Sequence, residues 1–353
     1  MLSSFSLRGY RSLQDFSLRL SPITVIQGTN GTGKSNIYGA LQLCSKIAEG
    51  DLPRAIAAEG GTASCFWAGE PLPTEKRQRA CFDLKGLDFS WSLTLGLVPT
   101  TPGDPTAFRD APDFKSETLE ANGRRYNRKT LKPRLSHTES LLSGLRNPAD
   151  HPELAATREN ILSWRFYDLF RSDRDSPLRR PGPRIWSPIL DSNGSNLAAA
   201  LQTIFEGSFP NRLHEILAEA FPDYQLSIES DGGLMDIAWQ APQLKRPLRS
   251  HELSDGTLRF LALSAALLSE HPPSLLILNE PETSLNPVLY PLLSKLVGYA
   301  AGGSQILIVT HSSEFSEQLA KDHNTTPNCL TLRSNGATCL AEDLSAKAVW
   351  RFD

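Results

Sequence analysis

A glycine-rich stretch near the N-terminus has the residue types and spacing of a phosphate-binding loop. It consists of Gly28, Thr29, Asn30, Gly31, Thr32, Gly33, Lys34 and Ser35, followed by Asn36. Glycine allows backbone conformations closed to other residues, so that successive N–H groups at positions 28, 31 and 33 can point inward at an anion. In such a loop Lys34 reaches the β- and γ-phosphates, and the Ser35 hydroxyl holds Mg²⁺. The loop therefore predicts binding of a nucleoside triphosphate.

The segments on either side of this loop have the patterns of a buried strand and an amphipathic helix. The run 23–27 before the loop is short, apolar and β-branched. After the loop, apolar residues recur at spacings of three and four between Ile37 and Ala48, which places them on one helix face. The N-terminus of that helix adds its partial positive charge to the anion site. A glycine-rich turn that happens to precede a helix is the alternative, and it leaves this order of elements unexplained.

Composition limits the classes of protein to which the chain can belong. Its 353 residues, 40% hydrophobic and 21% charged, suffice for one large or two ordinary globular domains. The net charge of −3 gives no global attraction to nucleic acid, so such contact requires a local patch. Five cysteines without a Cys-x-x-Cys pair disfavour a disulfide framework or a zinc site. Because no export signal or bilayer-spanning run is visible, we expect a cytoplasmic protein without a membrane partner.

The region after the loop helix changes from strand patterns to helical ones. Proline-rich residues 99–113 indicate an exposed loop within an antiparallel β-subdomain. From about residue 139 the apolar period becomes helical. The predicted strands of the β-subdomain are 79–84, 89–97 and 115–119. The predicted helices are 153–170, 196–205 and 210–221, and strands return at 224–229 and 234–239.

Polar and acidic residues follow a buried strand in the second half of the chain. The continuous apolar run 274–278 is typical of a parallel strand buried on both faces, and Asn279 and Glu280 follow it directly. The carboxyl ends of such strands are where open α/β sheets bind ligands. A second buried strand, 305–309, ends in Thr310 and His311. These positions are candidates for the chemistry on a bound nucleotide.

A short polar segment before this strand opens another helix. It reads Leu-Ser-Asp-Gly at 253–256, and Ser254 or Asp255 can cap the helix that follows. The small Gly256 leaves the first amides of that helix accessible. On its own this segment is a weak signal, since an ordinary helix cap would look the same.

In combination, these four motifs resemble those of the ABC-type ATPase heads of the RecF, SMC and OLD group. The chain is most similar to the small stand-alone ATPases of that group, in its Gly-x-Asn-Gly-x-Gly-Lys-Ser-Asn loop, its Leu-Ser-Asp-Gly signature, its Glu-Pro-Glu-Thr-Ser-Leu-x-Pro segment and its Thr-His-Ser. The resemblance implies an α/β fold of the P-loop NTPase class, with a mixed central sheet, an antiparallel β-subdomain and an inserted helical lobe. We expect one head over 1–353. Its expected parts are the loop and β-subdomain at 1–135, the helical lobe at 136–222, and the signature, Walker B and His-switch part at 223–353.

The resemblance also implies the hydrolytic machinery. Glu280 would polarise the attacking water as general base. His311 would sense the γ-phosphate from the next strand, the alternative being a satisfied histidine at a strand end. Arg11 matches an arginine that reaches the phosphates in related heads, although a solvated turn arginine would look similar. The implied ligands are ATP and Mg²⁺, and the metal would be held by Ser35 and Asn279.

The signature and two departures from the family pattern bear on the dimer and the rate. Ser254, Asp255 and Gly256 would contact ATP bound to a second subunit, which implies an ATP-dependent homodimer. Asn279 stands where these ATPases usually carry aspartate; it keeps a carbonyl acceptor but loses the charge, so Mg²⁺ is held less firmly and hydrolysis is slow. Asn286 replaces a common histidine, which puts any specific dimer contact at that position in doubt.

A basic run in the β-subdomain raises the question of nucleic-acid contact. A tyrosine-bearing basic loop is suited to a phosphate backbone, whereas a solvated surface hairpin is the alternative. The run contains Arg124, Arg125, Arg128, Lys129, Lys132 and Arg134. The first functional hypothesis is an ATP-driven switch that acts on DNA or a partner protein in genome maintenance or phage defence. The second is a regulatory ATP sensor that holds a toxin or effector and hydrolyses slowly or not at all.

Overall fold

The structure is a computed structural model that describes residues 1–70, 78–99, 110–132, 134–145 and 147–343. Residues 100–109 of the predicted proline-rich loop lie outside these ranges, as do residues 344–353 of the predicted third part. The strands, in chain order, are β1 (Leu2–Tyr10), β2 (Leu13–Arg19), β3 (Ile23–Gln27), β4 (Ala80–Gly86), β5 (Phe89–Leu97), β6 (Pro112–Ala121), β7 (Arg124–Asn127), β8 (Arg165–Tyr167), β9 (Gly182–Pro183), β10 (Gln225–Asp231), β11 (Leu234–Gln240), β12 (Leu275–Asn279), β13 (Gln305–Thr310), β14 (Asn328–Leu332) and β15 (Thr338–Leu340). The α-helices are α1 (Lys34–Glu49), α2 (Leu52–Ala58), α3 (Thr62–Cys65), α4 (Pro152–Leu162), α5 (Leu197–Glu206), α6 (Pro210–Ala220), α7 (Asp255–Leu267), α8 (Tyr290–Ala301) and α9 (Ser313–His323).

The chain divides into two compact units, and the boundary passes through β3. Unit 1 comprises Met1–Ser21, Ile26–Trp164 and the segment from Asn328 onward. Unit 2 comprises Pro22–Val25 and Arg165–Pro327. The phosphate-binding loop therefore belongs to unit 1, and the signature, Glu280 and His311 belong to unit 2.

Unit 1 is built on an antiparallel sheet with the strand order β2-β1-β4-β5-β6-β7. Alternation of apolar and polar residues gives this sheet one buried face; in β4, for example, Ala80, Phe82 and Leu84 are buried. The hairpin β14–β15 belongs to the same unit, and its Asn328 pairs in parallel with Ile26 at the end of β3. The antiparallel β-subdomain expected from the sequence is therefore confirmed.

Unit 2 contains parallel strands that are buried on both faces. β12 pairs in parallel with β13 on one side and with β8 on the other. The N–H of Ile306 donates to the carbonyl of Pro22 at 2.8 Å, just before the start of β3. Every residue of β13 is buried, as expected for a central strand covered by helices. Unit 2 also carries a small sheet with the order β10-β11-β9.

The helix predicted over 153–170 was wrong beyond residue 162. α4 ends at Leu162, and Arg165–Tyr167 form the edge strand β8. β8 pairs with Leu276–Leu278 of β12, so its backbone hydrogen bonds go to a strand more than a hundred residues away. The pattern around Trp164 and Phe166 fits a helix face as well as an edge strand, and a distant pairing partner leaves no local signal.

The other predicted elements of the second half are confirmed with small shifts at their ends. α5 and α6 occupy the positions of the two predicted helices, and β10 and β11 those of the returning strands. No helix within the described ranges is long and apolar enough to cross a membrane.

Candidate nucleotide-binding and hydrolysis sites

The phosphate-binding loop of unit 1 has the backbone of an anion cradle. Gly31 and Gly33 have φ of +84° and +91°, which L-residues with side chains rarely adopt. A Cβ at Gly33 would also lie 2.1 Å from Thr338 Oγ1. Gly28 has no positive φ, so the special conformation expected there was wrong; a Cβ at that position would instead lie 2.6 Å from Thr32 Oγ1. Glycine is needed at 28 for space and at 31 and 33 for conformation.

The start of α1 leaves hydrogen-bond donors available to a ligand. α1 begins at Lys34, its first turn holds no acidic residue, and no side chain caps its N-terminus. The first backbone N–H groups of a helix have no partner within the helix, and the helix dipole favours an anion there. Ser35, in the first turn, is exposed and free to contribute its hydroxyl. This helix start fits the β- and γ-phosphates of a nucleotide.

Lys34 is buried within the loop rather than extended at its mouth. Its Nζ donates to the carbonyl oxygens of Gly28 at 2.8 Å and Thr29 at 3.1 Å, and the residue is 5% exposed. The ammonium group thus closes the loop on itself. A bound phosphate would compete with these two carbonyls for the same donors.

Thr338 and Ser12 support the loop through hydrogen bonds, and the sequence analysis predicted neither contact. The Thr338 hydroxyl in β15 donates to the Thr32 carbonyl at 2.9 Å. Ser12 Oγ lies 2.6 Å from Thr338 Oγ1 and accepts a hydrogen bond from Asn36 Nδ2 at 2.7 Å. This chain of bonds joins the turn after β1, the C-terminal hairpin and the first turn of α1. Because the partners are about 300 residues apart, only the fold brings them together.

Arg11 is held by a carboxylate of its own unit. Its guanidinium forms an ion pair with Glu59, and Nη1 lies 3.4 Å from Asn36 Oδ1. Its side chain is 30% exposed and its φ is +46°, an uncommon conformation for a residue other than glycine. Arg11 is thus neither a freely solvated turn arginine nor already placed on the phosphates. Glu59, which the sequence analysis did not single out, is its partner here.

The two candidate hydrolytic residues of unit 2 meet at the carboxyl ends of β12 and β13. Glu280 and His311 come together, with Glu280 Oε1 3.5 Å from His311 Nδ1. The side chains are 32% and 44% exposed, so a ligand could reach both residues. Glu280 has a φ of +48°, and its backbone N–H donates to the carbonyl oxygen of Val309 at 2.7 Å. Such conformations persist where the surroundings enforce them, often at functional sites.

Asn279 has a carboxylate beside it that the sequence analysis missed. Its Nδ2 donates to Asp168 Oδ1 at 2.8 Å, an orientation that leaves the Asn279 carbonyl oxygen available to accept or to ligate. Asp168 follows β8, which lies within the segment that the sequence predicted as a helix. The Asp168 carboxylate thus lies beside the Asn279 amide.

The signature residues lie at the exposed start of α7. Ser254 caps this helix, and its Oγ accepts from the Thr257 N–H at 3.2 Å. Asp255 forms an ion pair with Arg179 at 2.5 Å. Arg179 also donates to the carbonyls of His251 and Leu253, at 3.2 and 2.7 Å, so one guanidinium fixes the whole segment. A Cβ at Gly256 would lie 3.0 Å from the Ser284 carbonyl, which favours glycine there.

The basic run of unit 1 is only partly a surface patch. Arg124 and Arg125 are exposed and pair with Glu153 at 3.1 Å and Glu120 at 3.3 Å. Arg128 has a side chain that is only 11% exposed, beside the fully buried Glu117, and it donates to two backbone carbonyls. Including Arg128 among the DNA-contacting residues was therefore wrong, because its charge is used inside the subdomain. Lys129, Lys132 and Arg134 are exposed.

Comparison with known families agrees with these observations. Residues 96–317 match the family model described as "AAA domain, putative AbiEii toxin, Type IV TA system". The chain belongs to this AAA family. Residues 1–53 match a second model, described as an AAA ATPase domain. No curated protein matches the sequence.

Solved structures similar to this AAA protein are heads of SMC proteins. It matches the SMC head domain from Thermotoga maritima with a TM-score of 0.52 and 15% identity over 96% of this chain and 98% of the other. It also matches the Pyrococcus furiosus SMC head with an extended coiled coil, bound to the C-terminal domain of ScpA. The TM-score is 0.55 and the identity 14%, over 99% of this chain and 98% of the other. An SMC head bound to the C-winged helix domain of ScpA matches with a TM-score of 0.57 and 14% identity, over 96% of this chain and 97% of the other. The predicted ABC-type ATPase head fold is thus confirmed.

Proposed function

We propose that this AAA protein is an ATP-hydrolysing molecular switch that pairs with a second copy when ATP is bound. The observation that carries the proposal is the loop of unit 1: two glycines with positive φ, an uncapped helix start and the buried Lys34 converge on one anion site. Backbone donors, a helix dipole and an ammonium group in one place suit a polyphosphate. Membership of an AAA family supports ATP as the nucleotide.

Hydrolysis is assigned to the strand ends of unit 2. Glu280 acts as the base that takes a proton from the attacking water, and His311 contacts the γ-phosphate. The 3.5 Å between Glu280 Oε1 and His311 Nδ1 supports their joint action on one reacting group. Ser35 and Asn279 are the residues that would hold Mg²⁺, which neutralises phosphate charge when bound. The Asp168 carboxylate fits a cation beside Asn279.

Arg11 gives this switch a means to respond to nucleotide. Its ion pair with Glu59 is partly exposed, so a phosphate of higher charge competes for the same guanidinium. Arg11 would then exchange the carboxylate for the phosphate when ATP binds.

The dimer is assigned to the signature. Ser254 and Asp255 are exposed, and Arg179 donates a hydrogen bond to the Leu253 carbonyl of the same segment. The capping bond of Ser254 is compatible with a further contact to the γ-phosphate of ATP on a second copy, because a hydroxyl can donate and accept at once. We place the action of the switch on DNA or a partner protein, in genome maintenance or phage defence, and its site in the cytoplasm.

A second candidate function is a regulatory ATP sensor that holds a toxin or effector protein. The toxin named in the description of the family model favours it, and so does Asn279, which weakens the metal site and slows hydrolysis. The switch is preferred because the 3.5 Å between Glu280 Oε1 and His311 Nδ1 supports a reaction at these two residues.

A phosphate-release assay tests the proposal. We expect the wild-type protein to release phosphate from ATP at a low, Mg²⁺-dependent rate, since Glu280 supplies the base. Tight ATP binding without any phosphate release would contradict the switch and support the sensor.

If the chain contacts DNA through β7, reversing the charge of its two exposed arginines should have a specific effect. Arg124→Glu with Arg125→Glu should weaken binding to a duplex and reduce the slope of log K against log salt by about 2, since each lost phosphate contact removes roughly 0.9. Fluorescence anisotropy at several salt concentrations measures this slope. Arg171→Glu with Arg180→Glu is the matched control, because it reverses two equally exposed, paired arginines of unit 2. An equal effect of both pairs, or none of either, would make the basic run an ordinary hairpin.

A further inference from the structure

One buried carboxylate near the candidate hydrolytic site has no part in the mechanism described above. Glu282 lies two residues beyond Glu280, in the turn that follows β12, and is 2% exposed. A carboxylate is rarely buried to this extent unless hydrogen bonds or a charge compensate for its lost hydration. Its contacts therefore indicate what it does.

Within the described ranges, the hydrogen bonds to the Glu282 carboxylate come from Thr310 at the end of β13 and from the two residues that follow it. Its Oε1 accepts from the Thr310 hydroxyl at 2.5 Å and from the backbone N–H groups of His311 and Ser312, each at 3.3 Å. Oε2 is buried and has no partner among the described residues. One oxygen thus fixes the three consecutive residues that carry the histidine.

The same oxygen also faces the imidazole ring. His311 Nδ1 lies 3.5 Å from Glu282 Oε1 and 3.5 Å from Glu280 Oε1. The ring is therefore flanked by the exposed carboxylate of the proposed base and by a buried carboxylate behind it. Glu282 Oε1 thus accepts from the backbone N–H of His311 and also lies beside its ring.

We propose that Glu282 is a positioning residue for ATP hydrolysis, which holds His311 in register with Glu280. The inference rests on the proposed function and adds to it a residue that acts through His311. A displacement of the histidine by about 1 Å is enough to lower a rate by roughly a hundredfold. The hydrogen bonds of the Glu282 carboxylate are to residues of unit 2, whereas the phosphate-binding loop belongs to unit 1, so nucleotide binding is expected to be independent of Glu282.

The structure suggests a pair of substitutions that separates positioning from packing. Glu282→Leu keeps much of the volume but removes every acceptor. Glu282→Gln keeps one acceptor oxygen, and because all three neighbouring groups donate, its amide has one favourable orientation, with the oxygen in the place of Oε1. We expect Glu282→Leu to lower kcat by roughly a hundredfold with KM within about twofold. We expect Glu282→Gln to retain kcat within about threefold of the wild type.

A double variant tests whether Glu282 acts through the histidine. If it does, Glu282→Leu combined with His311→Ala is no slower than His311→Ala alone, because the positioned group is already absent. Ser316→Ala is the matched control: Ser316 is fully buried in α9 and its hydroxyl has no hydrogen-bond partner among the described residues, so kcat should not change. Full additivity of the two losses, or an unchanged kcat in Glu282→Leu, would overturn the inference.

A second variant keeps the test decisive if Glu282→Leu does not fold. Thr310→Val preserves shape and removes the shortest bond to Glu282, and we expect kcat to fall about fivefold, with no further loss in the His311→Ala background. An unchanged kcat in Thr310→Val would overturn this inference and leave the proposed function intact. An inactive wild-type protein would overturn the proposed function and this inference with it.

Discussion

Replacing Lys34 by alanine is expected to weaken ATP binding by about a hundredfold or more. The ammonium group would make charge-assisted hydrogen bonds to two phosphates, each worth roughly 1.5–3 kcal/mol, and alanine offers none. The free protein also changes, because Lys34 Nζ donates to the carbonyls of Gly28 and Thr29. We therefore expect a second effect, a free energy of unfolding lower by about 1–2 kcal/mol.

Titration with a fluorescent ATP analogue and chemical denaturation measure these two effects separately. Lys46→Ala is the matched control, because Lys46 lies in the same helix, has a side chain that is 43% exposed, and within the described ranges forms an ion pair with Glu49 alone. It should bind the analogue as the wild type does and unfold at nearly the same denaturant concentration. Unchanged affinity in Lys34→Ala would show that the loop does not hold the nucleotide.

The two effects at Lys34 show how far the sequence alone could lead. The residue types of the loop and the patterns on either side predicted an anion site between a strand and a helix, and the backbone of Gly31 and Gly33 has the corresponding conformation. No pattern in the sequence indicated that Lys34 is buried. Burial depends on carbonyl groups of the loop itself, whose direction is set only when the chain folds.

The other omissions share one physical cause. Asp168 beside Asn279, and Thr338 beside Thr32, are neighbours across more than a hundred residues of chain. Local periodicity reports which face of an element is buried, but it does not report which distant element covers that face. β8 illustrates the point, since its three residues form a strand only because β12 offers an edge.

Arg128 illustrates the opposite error, in which a local pattern suggested too much. A cluster of cations in sequence indicates a basic surface, yet the side chain of Arg128 turns inward to the buried Glu117. Burial raises the pKa of the Glu117 carboxyl, and the hydrogen bonds from Ser140, Leu141 and Trp91 and the charge of Arg128 oppose that shift. The arginine thus belongs to a buried ionic cluster, and substitution of Arg128 tests stability and not DNA contact.

The largest effect of all is expected at Glu280, where one substitution should abolish hydrolysis and trap a dimer. Glu280→Gln removes the base at nearly constant shape, and loss of a general base lowers kcat by roughly 10²–10⁴-fold. ATP binding, assigned to the loop of unit 1, should be retained. If ATP holds two copies together through both loop and signature, blocking its hydrolysis leaves the closed pair as the stable state.

The signature supplies the variant that distinguishes this trap from ordinary self-association. Ser254 is exposed at the start of α7, so Ser254→Arg removes the capping bond from Thr257 but no buried contact, and it places a long side chain where the phosphate of the second copy would lie. Because two copies related by a two-fold axis share two such contacts, one substitution removes both. Light scattering with ATP and Mg²⁺ should give Glu280→Gln twice the mass of the Glu280→Gln, Ser254→Arg double variant. ADP in place of ATP is the control, and it should return Glu280→Gln to the monomer mass. Equal masses with ATP, ADP and no nucleotide would contradict an ATP-gated pair and leave the sensor as the better account of this site.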